Sequence, residues 1–198
     1  MNKRPSLIEA RRTLARYLAE PPARLLAKTG LSPNCFTLLG FALTLGVAAI
    51  LATGHLFLGG FLVLVAAAFD LLDGALARAY GRTTRFGALL DSTIDRLSEA
   101  ALFFGLLVHY AQQPSLAEVL LINAALIGSV MISYVRARAE GLGLSCEVGI
   151  FTRPERVIVL ALGLIVGQAL IALWILAVGT NLTALQRIAY VWRQTRGS

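Results

Sequence analysis

The chain has 198 residues, of which 57% are hydrophobic and 15% charged, with a mean hydropathy of +0.73. An ordinary soluble domain of this size carries more charge, so the composition excludes that class and indicates an integral membrane protein. A net charge of +7 invites a nucleic-acid reading, which the placement of the cations, traced below, argues against.

Residues 1–30 are basic and lack a long apolar core, so no cleavable signal is expected. Leu7, Ile8, Leu14, Leu18, Leu25 and Leu26 can face lipid while Arg11, Arg12, Arg16, Arg24 and Lys28 meet headgroups. That pattern fits an amphipathic interfacial segment, broken at Pro21-Pro22; a solvated basic tail is the alternative. Ser32-Pro33-Asn34 reads as a helix start. Six stretches are then apolar enough for membrane helices: 35–52, 56–79, 86–110, 116–139, a short 154–167, and 169–192. Gly167-Gln168 is the one plausible break in the last apolar run. The expected fold is an all-α integral membrane protein, one domain over 1–198, with a six-helix bundle at 31–198 following the surface segment.

All 18 Lys and Arg residues fall at 3–28, 78–96, 136–156 or 187–196. With six spans and the N-terminus inside, every one of these regions is cytoplasmic, and the turns near Gly54, Pro114 and Gly167 carry none. The positive-inside rule thus puts both termini in the cytoplasm of a multi-pass cell-membrane protein. The basic charge forms one belt at the membrane face, suited to anionic lipid rather than nucleic acid. Cys35 and Cys146 fall on the same reducing side, so no disulfide is expected. His55 and His109 lie near outer turns and suit interfacial packing; Trp174 and Trp192 suit membrane anchoring.

The densest chemistry lies between Phe69 and Arg96. Asp70 and Asp73 are three residues apart and Asp91 and Asp95 four, so each pair shares a helix face. Gly74 and Ala77 keep the first face slim, and a basic turn with Arg82 and Arg85 joins the two helices. Clustered carboxylates repel one another and are expensive within a membrane unless divalent cations relieve them. Oxygen-only donors select hard ions such as Mg²⁺, Mn²⁺ or Ca²⁺, and four carboxylates can hold two. The site falls at the cytoplasmic ends of the second and third spans.

Asp70-x2-Asp73-Gly74-x2-Ala77-Arg78-x8-Gly87-x3-Asp91-x3-Asp95 is similar, at every position, to the signature of the CDP-alcohol phosphatidyltransferases. Those enzymes move a phosphatidyl group from a CDP-linked lipid to an alcohol. The resemblance implies that Asp70, Asp73 and Asp91 are metal ligands. It further implies that Asp95 is the base for the acceptor hydroxyl while also touching a metal. Two Mg²⁺ ions per site are expected, with Mn²⁺ as a substitute. The family places the CDP-lipid against Gly74, Ala77, Arg78 and Thr84, and against a stretch matching Asn34, Cys35, Phe36 and Thr37. Asn34 serves equally well as a plain helix cap. Members are often homodimers.

Downstream, Arg136 and Arg138 close the fourth span, Arg153 and Arg156 open the fifth, and Arg187 interrupts the last apolar run. Arginines converging near a metal site make an anion pocket, because guanidinium binds phosphate in a fork; snorkelling at the membrane edge is the alternative, strongest for Arg153. An acceptor that itself carries a phosphate needs such a pocket, and Arg136, Arg138, Arg156 and Arg187 are its candidates. Ser133–Glu140, Thr152–Leu160 and Gln186-Arg187 resemble the bacterial phosphatidylinositol-phosphate synthases within that family, which use CDP-diacylglycerol and inositol 1-phosphate. Those enzymes commonly carry Lys where this chain has Arg136, which leaves glycerol 3-phosphate, and so phosphatidylglycerol-phosphate synthesis, as the main rival, with an archaeal-type ether-lipid donor a lesser one. A cation transporter using intramembrane carboxylates is a reading from another class. It leaves Gly74, Ala77, Arg78 and Gly87 unexplained, and no internal repeat supports it.

Overall fold

The structure, a computed structural model, describes residues 32–79 and 84–196, with side chains described at 32, 34–70 and 84–196. The expected interfacial segment, 1–30, therefore lies outside the described residues. Among those described there is no strand. They form six helices: α1 (Pro33–Ala52), α2 (Leu56–Ala79), α3 (Arg85–Ala111), α4 (Leu116–Gly141), α5 (Arg153–Ile165) and α6 (Ala169–Arg196). Among the described residues three stretches are long and apolar enough to cross a membrane: Asn34–Ala52, Leu116–Gly141 and Ala169–Arg196.

Each helix end has a local cause. Ser32 caps α1, its Oγ accepting from the Cys35 amide at 3.3 Å, with Pro33 in the first turn where its missing N–H costs nothing. Thr84 caps α3, its Oγ1 accepting from the Gly87 amide at 2.9 Å. Thr152 precedes α5, with Pro154 in the first turn and Glu155 three residues on, the spacing of a capping box. Here the Thr152 hydroxyl donates to the Glu155 carboxylate. Gly167, at φ +73°, ends α5 in the left-handed conformation, and Gln168 N closes back on Gly163 O at 2.8 Å. The helices match the apolar stretches closely. α6 runs four residues past its apolar part, to Arg196, whose guanidinium lies 4.0 Å over the Trp192 ring.

The chain falls into two compact units. One comprises Met1–Leu43 with Val65–Leu97, the other Thr44–Leu64 with Ser98–Ser198. The main apolar core belongs to the second, around Leu51, Phe103, Leu106, Ile122, Leu173 and Leu176, all buried. There α6 packs along α4 at close range. A Cβ on Gly128 would come within 2.2 Å of Thr180 Oγ1, so only glycine lets the two backbones approach this far. Asn181 Nδ2 uses the approach to donate to Ala124 O at 3.0 Å. Lipid is as apolar as leucine, so helices in a membrane associate through this combination of small residues and polar side chains. Large side chains such as Phe57, Phe104, Leu116 and Trp174 stay more than half exposed, which suits contact with lipid. At the turns near Gly54 and Pro114, His55 Nδ1 pairs with Thr53 Oγ1 at 2.9 Å, and His109 lies edge-on to Tyr110 with ring centroids 4.9 Å apart.

Candidate active site

The aspartates lie in the first unit. Asp70 and Asp73 sit on the last turns of α2, and Asp91 and Asp95 on the first turns of α3. Asp70 is half-buried beside α1, and a Cβ on Gly40 would come within 2.9 Å of its Oδ1. Gly40 is thus the small residue that makes room for the carboxylate. Asp91 is exposed, and Asp95 is half-buried, its Oδ2 3.7 Å from Arg96 Nη1. Arg96 is itself held by a 2.6 Å bond from Nη1 to Ser92 O, one turn back. Among the described residues no three His, Cys, Asp or Glu side chains gather closely enough to hold a metal ion. The side chains of Asp73, Gly74, Ala77 and Arg78 are not among those described. The donors that are described are all carboxylate oxygens, which suit a hard divalent cation.

The expected CDP-lipid residues are distributed around the same unit. Asn34 is not the α1 cap, because Ser32 occupies that position; Asn34 lies in the first turn, its Oδ1 3.2 Å from where a Cβ on Gly87 would sit. The alternative of Asn34 as a plain cap is therefore corrected. Cys35 is half-buried, and Thr37 is buried. Phe36 is buried against Phe69, with ring centroids 6.1 Å apart. Thr84 faces Gly87 from the α3 cap position, and a Cβ on Gly87 would press to 3.0 Å from its Oγ1.

The arginines lie in the second unit. Arg138 is exposed. Arg136 is also exposed and pairs with Glu140 at 2.8 Å, a surface contact of little energetic weight. Arg187 is buried, donating from Nε to Val148 O at 2.8 Å and from Nη1 to Ile132 O at 2.7 Å. It ties the loop 142–152 to α4 and α6. Gly149 packs beneath it, at φ +138° and with no space for a Cβ, which would meet Thr183 Cγ2 at 2.7 Å. Thr183 Oγ1 accepts from the Phe151 amide at 3.2 Å, and Gln194 Nε2 donates to Ser145 O at 2.9 Å, so α6 holds this loop at three points. Arg187 and Arg156 both bond this loop, through Val148 O and Phe151 O, which brings these two cations to one stretch of chain.

Arg156 is buried and bonded to Glu99, with Nε to Oε1 at 2.6 Å and Nη2 to Oε2 at 2.8 Å. Its Nη1 donates to Phe151 O at 3.1 Å. Ser129 adds a 2.6 Å bond from Oγ to Glu99 Oε2. Sequence reasoning missed Glu99 and Ser129. The available signal was that Glu99 is an acid inside an apolar helix, four residues after Asp95, and such an acid needs a partner.

Residues 30–188 match the CDP-alcohol phosphatidyltransferase family. The phosphatidylinositol phosphate synthase of Corynebacterium glutamicum is 40% identical over 185 residues, covering 88% of this chain and 84% of that protein. That of Mycobacteroides abscessus is 42% identical over 190 residues, covering 90% of this chain and 85% of that protein. The crystal structure of the Mycobacterium tuberculosis phosphatidylinositol phosphate synthase with CDP-DAG bound superposes with a TM-score of 0.82 at 38% identity, covering 89% of this chain and 94% of that one. The same enzyme in complex with manganese and citrate also gives 0.82, at 38% identity, covering 88% of each chain. With the family matched over most of its length and its aspartate signature intact on α2 and α3, this chain belongs to the CDP-alcohol phosphatidyltransferases.

Proposed function

We propose that the chain transfers a phosphatidyl group from CDP-diacylglycerol to inositol 1-phosphate, giving phosphatidylinositol phosphate and CMP. The observation that carries the reading is the complete aspartate signature in a chain 40% identical, over 88% of its length, to a phosphatidylinositol phosphate synthase. CDP-DAG bound to the mycobacterial enzyme supports the donor, and manganese bound to it supports a divalent metal.

The acceptor hydroxyl attacks the phosphatidyl phosphorus, a new P–O bond forms, and the bond to CMP breaks. Asp95 takes the hydroxyl proton, and CMP leaves with the other electron pair. Asp70, Asp73, Asp91 and Asp95 fit a pair of Mg²⁺ or Mn²⁺ ions by their oxygen-only chemistry, and such ions supply positive charge against the pyrophosphate. Asn34, Cys35, Phe36, Thr37, Gly74, Ala77, Arg78 and Thr84 hold the CDP-lipid. Arg136, Arg138, Arg156 and Arg187 hold the acceptor phosphate, a reading supported by the bonding of Arg156 and Arg187 to one loop.

The whole chain acts as one catalytic domain with six membrane spans, an interfacial N-terminal segment, and both termini and the active site in the cytoplasm. The confinement of Lys and Arg to the inward-facing regions supports this topology. A homodimer is the assembly the family resemblance suggests. The test of function is CMP release by purified protein in CDP-diacylglycerol micelles. Release that depends on added inositol 1-phosphate, with phosphatidylinositol phosphate identified by mass, is the expected result. CMP release without an acceptor, or no release at all, contradicts it.

A further inference from the structure

The contact between Glu99 and Arg156 is the one buried ion pair found among the described residues, and the reaction as set out above gives Glu99 no role. Relative exposures of 8% for Glu99, 4% for Arg156 and 2% for Ser129 show the group almost wholly buried. Stability alone is a weak reason for such a pair, because apolar side chains of similar volume commonly serve as well or better. Its geometry suggests another reason. Glu99 takes the edge of the guanidinium formed by Nε and Nη2, and Phe151 O takes one hydrogen of Nη1. Three of the five N–H groups are used, which fixes both the plane and the direction of the side chain. The two that remain are one on Nη1 and one on Nη2, the nitrogens at the end of the guanidinium, and N–H groups of this kind are what phosphate oxygens accept from. Ser129 donates to Glu99 Oε2, the oxygen that also accepts from Arg156 Nη2, so a third bond restrains the carboxylate against following a moving arginine. Arg187, which bonds the same loop through Val148 O, has no described residue bonded to its Nη2.

We propose that Glu99, steadied by Ser129, is the positioning residue that aims Arg156 at the phosphate of the acceptor. This rests on the reading of the arginines as the acceptor-phosphate site. Glu99 touches no substrate and acts only through Arg156. It also neutralises Arg156, one of two buried arginines that bond the loop 142–152. A carboxylate that orients the arginine in this way sharpens discrimination for a phosphorylated acceptor without touching the CDP-lipid.

The test is steady-state kinetics on the purified full chain, with melting temperature as a parallel readout. Arg156→Ala, Glu99→Gln, Ser129→Ala and the double variant Glu99→Gln/Arg156→Ala are compared with the parent. Glu99→Gln keeps the shape but puts an amide donor against a guanidinium donor. The expected result is an acceptor KM raised about ten- to a hundredfold by Arg156→Ala, about tenfold by Glu99→Gln and roughly threefold by Ser129→Ala. CDP-diacylglycerol KM stays within about twofold, and the double variant is no worse than Arg156→Ala, as expected of residues that act as a unit. Should Arg156→Ala raise the acceptor KM while Glu99→Gln and Ser129→Ala leave it unchanged, the positioning role is overturned and the arginine reading stands. An acceptor KM unmoved by Arg156→Ala overturns both. A joint fall in melting temperature, kcat and affinity for both substrates in Glu99→Gln and Ser129→Ala makes the pair a staple and also overturns the proposal. If Glu99→Gln does not fold, Ser129→Ala decides: a selective rise in acceptor KM supports the role, and its absence refutes it.

Discussion

Asp95 and Asp91 lie on one face of α3 in different settings, one half-buried beside Arg96 and the other exposed. That difference supports a division of labour between base and ligand. Asp95→Asn is expected to lower kcat about 10²–10⁴-fold while CDP-diacylglycerol still binds, as measured by turnover and by equilibrium binding. Asp70→Asn and Asp91→Asn are expected to weaken metal binding as well, read as a higher metal concentration for half-maximal activity. Near-normal turnover in Asp95→Asn would demote it to a ligand or a structural group. Arg138 and Arg187 should also separate. If exposed Arg138 binds the acceptor phosphate as proposed, Arg138→Ala should raise acceptor KM at unchanged melting temperature. Arg187 also bonds two backbone carbonyls, so Arg187→Ala should lower the melting temperature too. The aspartates were legible in the sequence because helical spacing alone puts them on common faces. The partners of Glu99 were not, since Ser129 and Arg156 are 30 and 57 residues away and no local pattern couples them.

At the scale of elements, apolar length and turn residues located all six helices to within a few residues, including the break at Gly167. Caps were harder to read. Ser32-Pro33-Asn34 offered two cap-forming side chains, and geometry selected Ser32, which leaves Asn34 inside the first turn. The end of α6 was extended by polar residues that hydropathy does not register, with Arg196 stacking on Trp192. Helix pairing was illegible as well, because Gly128 on α4 looks like any other small residue in an apolar run. Its contact with Thr180 predicts that Gly128→Leu forces α4 and α6 apart. Overpacking of this kind costs about 1–3 kcal/mol, so a clear drop in melting temperature in detergent is expected. An unchanged melting temperature would show that the two helices do not meet as closely as described.

At the scale of the whole molecule, charge placement did what local pattern could not. The basic belt is what the proposed orientation rests on, and what argues against a nucleic-acid reading of the +7 net charge. A reporter enzyme active only in the cytoplasm, fused after Ser198, should therefore be active, and a periplasmic reporter at the same place silent. Turnover should also stop in excess chelator and return with Mg²⁺ or Mn²⁺, because oxygen-only donors give no alternative hold on a soft metal. The acceptor is where sequence and relatives must meet chemistry most directly. The decisive measurement is kcat/KM of the purified chain for inositol 1-phosphate, glycerol 3-phosphate and free inositol, each with CDP-diacylglycerol. Inositol 1-phosphate is expected to exceed free inositol by at least about a hundredfold, given two or more charge-assisted bonds to its phosphate, and to exceed glycerol 3-phosphate as well. Free inositol serving as well as its phosphate, or glycerol 3-phosphate being preferred, would contradict the assigned reaction.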